Sequence, residues 1–324
     1  MSSLRIVVVN YRSARLAIEC LRSLAGELKG VPRADVVVVD NASGDGSVEH
    51  LAAAIRRERW QGWVSLRPLE RNGGFAFGNN AAIRDALRSQ RPVDYLMLLN
   101  PDTVVRRGAI RALIDFMDAH PRAGIAGSRL ENGDGRAECS AHNAPSPLGE
   151  LESGASLGLL SRLLQRHTVT PAARGTAHEC AWVSGASQIV RRQVFEQVGL
   201  MDEGFFLYFE EVDFCTRVRQ AGWQIWYVPD SCVMHHEGGA TGIKNRGRRP
   251  AYWYASRRRY FVKHFGASGL LRADALWAAG RTSLALRRLL RLGGAGAERD
   301  PKHFAFDLLW GDLVWAIRRT SASS

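Results

Sequence analysis

Four polar clusters, three of them closing an apolar run, carry the residues of this 324-residue chain whose types suit chemistry. Asn100-Pro101-Asp102-Thr103 follows the run Tyr95–Leu99. Pro101 cannot donate to a sheet ladder and biases Asn100 toward extended geometry, so the strand should stop there with Asp102 beyond its tip. A carboxylate in that position suits a hard cation and a diphosphate. It would equally suit a turn, or a cap on the helix after Arg107. Asp40 ends the run Val36–Val39 and leads into Asn41-Ala42-Ser43-Gly44-Asp45-Gly46-Ser47. There it can accept from a pyrimidine ring N–H or a ribose hydroxyl, or simply cap a turn. Asn72-Gly73-Gly74-Phe75, with Gly78-Asn79-Asn80 after it, lets backbone amides approach a ligand at the start of a helix, although Asn-Gly-Gly is also plain turn composition. Its spacing is that of neither the dinucleotide fingerprint nor the P-loop. Glu210-Glu211-Val212-Asp213 opens a helix that runs on through Val218. The positive end of that helix keeps such acids ionised and able to take a proton from a hydroxyl, or they are merely favourable first-turn charges.

The elements that must position these clusters alternate. Leu4–Val9, closing in Asn10-Tyr11-Arg12, Val36–Val39, Trp63–Leu66 and Tyr95–Leu99 read as buried strands. Between them, Leu16, Cys20, Leu21 and Leu24, then Val48, Leu51, Ala52 and Ile55, then Ala82, Ile83, Ala86 and Leu87, each mark one apolar helix face. Strands alternating with helices imply right-handed crossovers and a parallel sheet, so the polar loops after these four strands all open on its carboxyl edge, where α/β sheets bind ligands. A helix on Ile110, Leu113, Ile114 and Met117 and a strand over Gly124–Leu130 follow. Residues 131–180 lack clean periodicity and read as a hairpin at Asn132-Gly133-Asp134-Gly135 and then a mobile insertion. Within it Leu157, Leu160 and Leu164 share a face fit for the core or for a lipid tail, while His142, His167 and His178 have no partner spacing. Ala181–Val190 reads as a strand with a bulge at Gly185, followed by a helix from Arg191 to Val198. Gln224–Val228 returns to the sheet. His235 and His236 are adjacent, so only one can face a site if the backbone is extended.

Composition bounds the class. Apolar residues make up 46% of the chain, enough for a full core. Lys and Arg number 44 against 32 Asp and Glu, a net charge of +12 that favours anionic partners. A nucleic-acid-binding protein is not expected, because the sheet edge offers acids and amides where a basic face is needed. Five cysteines without a C-x-x-C pair suit a reducing compartment. The apolar start is too short for a signal peptide and no window reaches the length of a span, so a cytoplasmic protein is expected.

Val8-Val9-Asn10-Tyr11, Val38-Val39-Asp40-Asn41-Ala42-Ser43 with Asp45-Gly46-Ser47, Asn72-Gly73-Gly74-Phe75-Ala76 with Gly78-Asn79-Asn80, and Asn100-Pro101-Asp102-Thr103 together resemble the inverting glycosyltransferases of family 2, nearest the rhamnosyltransferase-like branch. The likeness extends over residues 4–265. It implies a GT-A fold, a mostly parallel central sheet with helices on both faces. It also implies a nucleotide-diphosphate sugar donor, dTDP-rhamnose or a UDP-sugar, and a divalent cation, Mg²⁺ or Mn²⁺. Asp40 then resembles the base-reading aspartate and Asp102 the metal- and diphosphate-binding one. Asn10, Tyr11, Arg12, Asn41, Ser43, Asn72, Gly73, Gly74, Phe75, Asn79 and Asn100 complete the donor site. Asn100 departs from the Asp-x-Asp form. Glu210-Glu211-Val212-Asp213 resembles the Glu-Asp motif whose second acid is the catalytic base, which is Glu211 here, with Glu210 as the alternative and Asp213 beside them. A histidine after the last strand contacts metal or diphosphate in the family, and His236 takes that position.

Residues 1–130 are read as the donor half and 131–250 as the acceptor and catalytic half of one domain, with 251–324 a basic amphipathic helical extension. Lys244, Arg246, Arg248 and Arg249 form a loop that closes over diphosphate or is simply solvated. Arg257, Arg258, Arg259 and Lys263, with Trp253, Tyr260 and Phe265, suit either an anionic membrane face or a packed helix with its arginines in solvent. The acceptor implied is a glycan or a polyprenyl-diphosphate-linked sugar, at the inner face of the plasma membrane. A binding module without catalysis would keep Asp40 and Asp102 but would not need the acidic cluster.

Overall fold

The computed structural model describes residues 2–31, 33–171, 174–236, 247–292 and 300–321. The chain forms two compact units, one of residues 1–142, 172–206 and 210–242, the other of residues 143–171, 207–209 and 243–324.

The first unit is built on β1 (Leu4–Asn10), α1 (Ala14–Glu27), β2 (Ala34–Asp40), α2 (Ser47–Arg57), β3 (Val64–Pro68), α3 (Gly74–Arg88) and β4 (Tyr95–Leu99). These strands pair in parallel in the order β3-β2-β1-β4. β5 (Thr103–Val105), α4 (Ala109–Ala119), β6 (Ala123–Glu131), β7 (Ala137–Glu138) and β8 (Ala141–His142) follow. The other half of the sheet continues β11 (Ser187–Arg191), β6, β12 (Gln224–His235) and β5, with β11 antiparallel to both its neighbours. The β-branched runs are buried on both sides because the side-chain period of a strand is two. Leu4, Ile6, Val8, Val36, Val38, Met97 and Leu99 enter one core with α1, α2 and α4. Val7, Val9, Val37, Val39, Leu96 and Leu98 enter the other, against α3, α7 (Arg192–Val198) and α8 (Glu210–Gln220). Each such side chain stabilises the sheet by roughly 1.5–3 kcal/mol.

Residues 131–142 form the expected hairpin, β7 pairing with β6. The strand over 181–190 is divided: β10 (Trp182–Val183) pairs with β8, and β11 resumes in the main sheet after Gly185. β9 (His178–Glu179) lies along β12.

The second unit has helices where the sequence showed no period. Ser146 caps α5 (Pro147–Ala155), its hydroxyl accepting from Gly149 N–H, with Pro147 in the first turn. α6 (Gly158–Leu163) follows, with Leu157 on the border of exposure and Leu163 exposed. α9 (Ala251–Leu289) breaks at Gly266 (φ 72°), and α10 (Phe304–Ser321) closes the unit. Gly280 lets α5 and α9 touch, since a Cβ there would lie 2.6 Å from Ala155 N. Tyr254, Trp277, Phe304 and Leu308 form its core.

Here the structure corrects the reading of the C-terminal cluster. Arg257 is 1% exposed, held by Asp274 (2.9 Å), Asp312 (3.2 Å) and Glu150 (3.2 Å). Arg258 pairs with Asp312, and Tyr260 is buried among Phe209, Phe261 and His264. Arg257, Arg258 and Tyr260 are therefore neither solvated arginines nor headgroup anchors, whereas Arg259, Lys263 and Phe265 are exposed. Sequence periodicity finds an arginine run but not three acids contributed by α5, the far half of α9 and α10. Arg248 is paired with Asp307 and Arg249 lies 4.7 Å from the Trp253 ring, so both are engaged inside this unit. Lys244 and Arg246 lie outside the described residues.

Candidate active site

Parallel register sets Asn10 beside Asp40 at the carboxyl tips of β1 and β2. Asp40 is buried, and its carboxylate is a hub: Asn10 Nδ2 (2.7 Å), Ser43 Oγ (2.7 Å) and the Ser43 N–H (3.0 Å) all donate to it. Ser43 Oγ in turn accepts from Arg12 N–H at 2.9 Å, with Arg12 in the left-handed region (φ 54°) and its guanidinium 5.2 Å from the Tyr11 ring. Asp40 thus fixes the two strand tips to each other, and Tyr11 is left more than a third exposed.

The glycine loop serves a close approach, of protein to protein. Gly74 has φ +88°, and a Cβ there would fall 1.9 Å from the carbonyl oxygen of Phe206. Phe75 N–H donates to that oxygen (2.9 Å) and Gly74 N–H to Asn72 Oδ1 (3.0 Å), so both amides are in use. Asn41 Nδ2 ties the loops together through Asn72 Oδ1 (2.9 Å) and Gly74 O (3.0 Å). Asn79 Nδ2 donates to Phe75 O. The oxygens Asn41 Oδ1 and Asn79 Oδ1 are buried and accept no hydrogen bond among the described residues, an opening for donor groups of a ligand.

β4 stops at Leu99 and Asn100 N–H bonds Ala186 O (2.9 Å). Asp102 does not cap α4, which begins at Ala109 with Gly108 as its N-cap, the Gly108 N–H bonding Glu27. Instead the chain resumes as β5, antiparallel to β12, with Thr103 opposite His235. This pairing, invisible in local periodicity, brings His235 Nε2 to 3.4 Å from Asp102 Oδ1 and 3.5 Å from Asn100 Nδ2. His236 is exposed, and it is its peptide N–H that reaches Asp102, at the carbonyl oxygen (2.9 Å). The imidazole against Asp102 is His235. A carboxylate oxygen and a ring nitrogen so placed fit a borderline-hard divalent cation such as Mn²⁺. No group of three or more His, Cys, Asp or Glu side chains that could hold a metal occurs among the described residues.

The acids of α8 separate into two kinds. Asp213 is fully buried and bound to Arg217 Nε (2.9 Å), whose guanidinium also bonds the carbonyls of Val198 and Leu200. It anchors the helix. Glu210 is 3% exposed; burial first, and then the neighbouring Glu211 charge, push its carboxyl well above the usual carboxylate range. Burial likewise raises Glu211, against backbone N–H groups that lower it. Glu210 Oε2 and Glu211 Oε2 accept no hydrogen bond among the described residues. A Cβ placed on Gly185 would lie 3.6 Å from both Glu211 Cβ and Phe75 Cε1, so the acid and the glycine loop converge there. Tyr208 and Phe209, both at positive φ, immediately precede Glu210. Asn80, which sequence reasoning placed in a motif without a role, clamps the approach to α8: its amide donates to Met201 O (2.8 Å) and Glu203 Oε1 (2.9 Å) and accepts from Met201 N–H (3.1 Å).

A family model described as glycosyl transferase family 2 matches residues 5–199. The chain belongs to glycosyl transferase family 2. A curated relative, the N-acetylglucosaminyl-diphospho-decaprenol L-rhamnosyltransferase of Mycobacterium tuberculosis, is 34% identical over 265 residues, 78% of this chain and 81% of the relative. The dTDP-rhamnosyl transferase RfbF of Shigella flexneri is 26% identical over 73% of this chain and 70% of its own length. Among solved structures, the mannosyltransferase PcManGT from Pyrobaculum calidifontis, determined with GDP-Man and Mn²⁺, aligns with a TM-score of 0.57 at 16% identity, covering all of this chain and 88% of that one. The fold is thus GT-A, and this family 2 member is a glycosyltransferase. None of its described helices is long and apolar enough to cross a membrane.

Proposed function

We propose that the protein transfers a sugar, rhamnose from dTDP-rhamnose, with inversion to a polyprenyl-diphosphate-linked glycan, working as a cytoplasmic protein at the inner membrane face during surface-polysaccharide synthesis. The observation that carries the reading is the pair of buried carboxyls at the start of α8, each with an oxygen accepting no hydrogen bond among the described residues, beside the loop that the family uses for its donor. Glu211 accepts the acceptor hydroxyl proton as that oxygen attacks the anomeric carbon, and the bond from that carbon to the diphosphate breaks on the opposite face. Glu210 supports it, its charge raising the cost of ionising both. Asp102 and His235 would hold a divalent cation, whose charge would offset that of the departing diphosphate. Asn10, Tyr11, Arg12, Asp40 and Ser43 form the nucleoside end. The names of the mycobacterial and Shigella relatives support rhamnose, dTDP and a diphospho-polyprenol acceptor.

The test is a thermal-shift screen of dTDP-rhamnose and UDP-sugars with and without Mn²⁺ or Mg²⁺, followed by transfer to a polyprenyl-diphosphate-linked N-acetylglucosamine. Stabilisation by dTDP-rhamnose and a product of inverted anomeric configuration are expected. Stabilisation by UDP-sugars alone would move the donor, and retention of configuration would remove Glu211 as base.

A further inference from the structure

α10 is apolar on two sides, and one of them enters the core of the second unit. Phe304 and Leu308 enter the core of the second unit and Asp312 its ion cluster. On the other side Phe306, Trp310, Leu313 and Ile317 are 62%, 55%, 46% and 56% exposed. Their spacing of four, three and four residues lines them along one strip roughly 16 Å long. Four large apolar side chains in a row facing water mark a contact surface.

Charge decides what covers it. The two acids of α10 are Asp307, paired with Arg248, and Asp312, buried with Arg257 and Arg258. The helix ends in Arg318 and Arg319, both exposed. The end of α9 and the three residues after it have the same composition: Leu286, Leu289, Leu290 and Leu292 are 53–78% exposed among Arg287, Arg288 and Arg291, and no Asp or Glu occurs between Asp274 and Glu298. A second copy docking through this strip about a two-fold axis would set arginines against arginines. A bilayer interface accepts both parts, with aromatic and aliphatic side chains at the acyl boundary and guanidinium groups at lipid phosphates.

We propose that the Phe306–Ile317 strip of α10 docks on an anionic phospholipid surface, the helix lying in its plane. This deepens the membrane-face reading given above, and it is measured on lipid alone, without donor or acceptor. Flotation of the full chain with phosphatidylcholine vesicles, with and without phosphatidylglycerol, at low and high salt is the experiment. Binding to the anionic vesicles that weakens as salt rises is expected. The double variant Phe306→Ser/Trp310→Ser should lose about tenfold or more in partitioning while keeping its Tm and its thermal shift with nucleotide sugar. The variant Arg318→Gln/Arg319→Gln should lose the preference for phosphatidylglycerol. Wild-type protein that does not float at low salt, or variants that float as it does, would overturn the proposal. So would a dimer in sedimentation velocity that dissociates in the serine variant. Loss of the nucleotide-sugar shift in wild-type protein would instead count against the transferase reading and leave this surface standing.

Discussion

Glu210 and Glu211 are adjacent acids on one helical turn, and two negative charges cannot share a dry site at little cost. Burial raises both, so ionisation of the pair is spread over a pH range above that of ordinary carboxylates. A base must be deprotonated to act. The kcat of transfer should therefore rise with pH through that range, and Glu211→Gln should lower kcat by on the order of 10²–10⁴-fold with donor affinity kept. Initial rates over pH 5–9 with calorimetric donor titration check this; an inactive Glu210→Gln beside an active Glu211→Gln would move the base back one residue. At Asp102 the expected outcome differs. Asp102→Ala should remove the Mn²⁺ dependence of donor affinity, and His235→Ala should weaken it where His236→Ala does not. Equal effects of the two histidine variants would dissolve the pairing seen at 3.4 Å.

Between elements, the loop at the start of α3 and the segment entering α8 are one mechanical piece. Phe206 O meets Phe75 N–H and the bare Cα of Gly74, and Asn80 binds Met201 and Glu203 some 121–123 residues away. Gly74→Ala must displace the Phe206 carbonyl as well as adopt positive φ, so a loss of ~2–4 kcal/mol in stability is expected from chemical denaturation. Asn80→Ala leaves a buried carbonyl and a buried N–H without their partner, at about 1–3 kcal/mol each. If the clamp positions Glu211, kcat should fall in Asn80→Ala while donor Kd stays put; a fall in both would make Asn80 part of the donor site. The strands and helices of the first unit were legible because period-two and period-3.6 patterns report burial directly. Asp40, Asp102 and Glu211 were legible as positions at strand tips and a helix start. What those patterns omit is who sits opposite: β5, the antiparallel partner that delivers His235, is three residues long, and the clamp joins two stretches that neither pattern connects. Gly73-Gly74 was read as an approach to ligand, yet a glycine needed for contact with a carbonyl of its own chain looks the same in sequence.

At the scale of the whole molecule, a chain of net charge +12 still keeps three carboxylates around one buried guanidinium. With Arg257 and Arg258 against Glu150, Asp274 and Asp312, the cluster carries one negative charge too many when all five groups are ionised. Burial, opposed by Arg257 and reinforced by the Asp312 charge, pushes Asp274 up to about 7, and burial raises Asp312 as well. A proton retained on Asp274 balances the cluster. The folded-state value lies above the unfolded one of 3.8, so this group's stabilisation is fully present below pH 3.8 and is lost as pH climbs through about 7. Each unit of pH in that window removes up to ~1.4 kcal/mol for one proton. Because the cluster joins α5, α9 and α10, the loss should appear as early melting of the second unit's helices. In Asp274→Asn, which keeps a hydrogen-bonding side chain and cannot ionise, the dependence of Tm on pH between 5 and 8 should flatten and Tm at pH 8 should exceed that of the parent chain. Parallel Tm curves for the two proteins would mean that Asp274 is ionised throughout, and the cluster would then hold its surplus charge by other means.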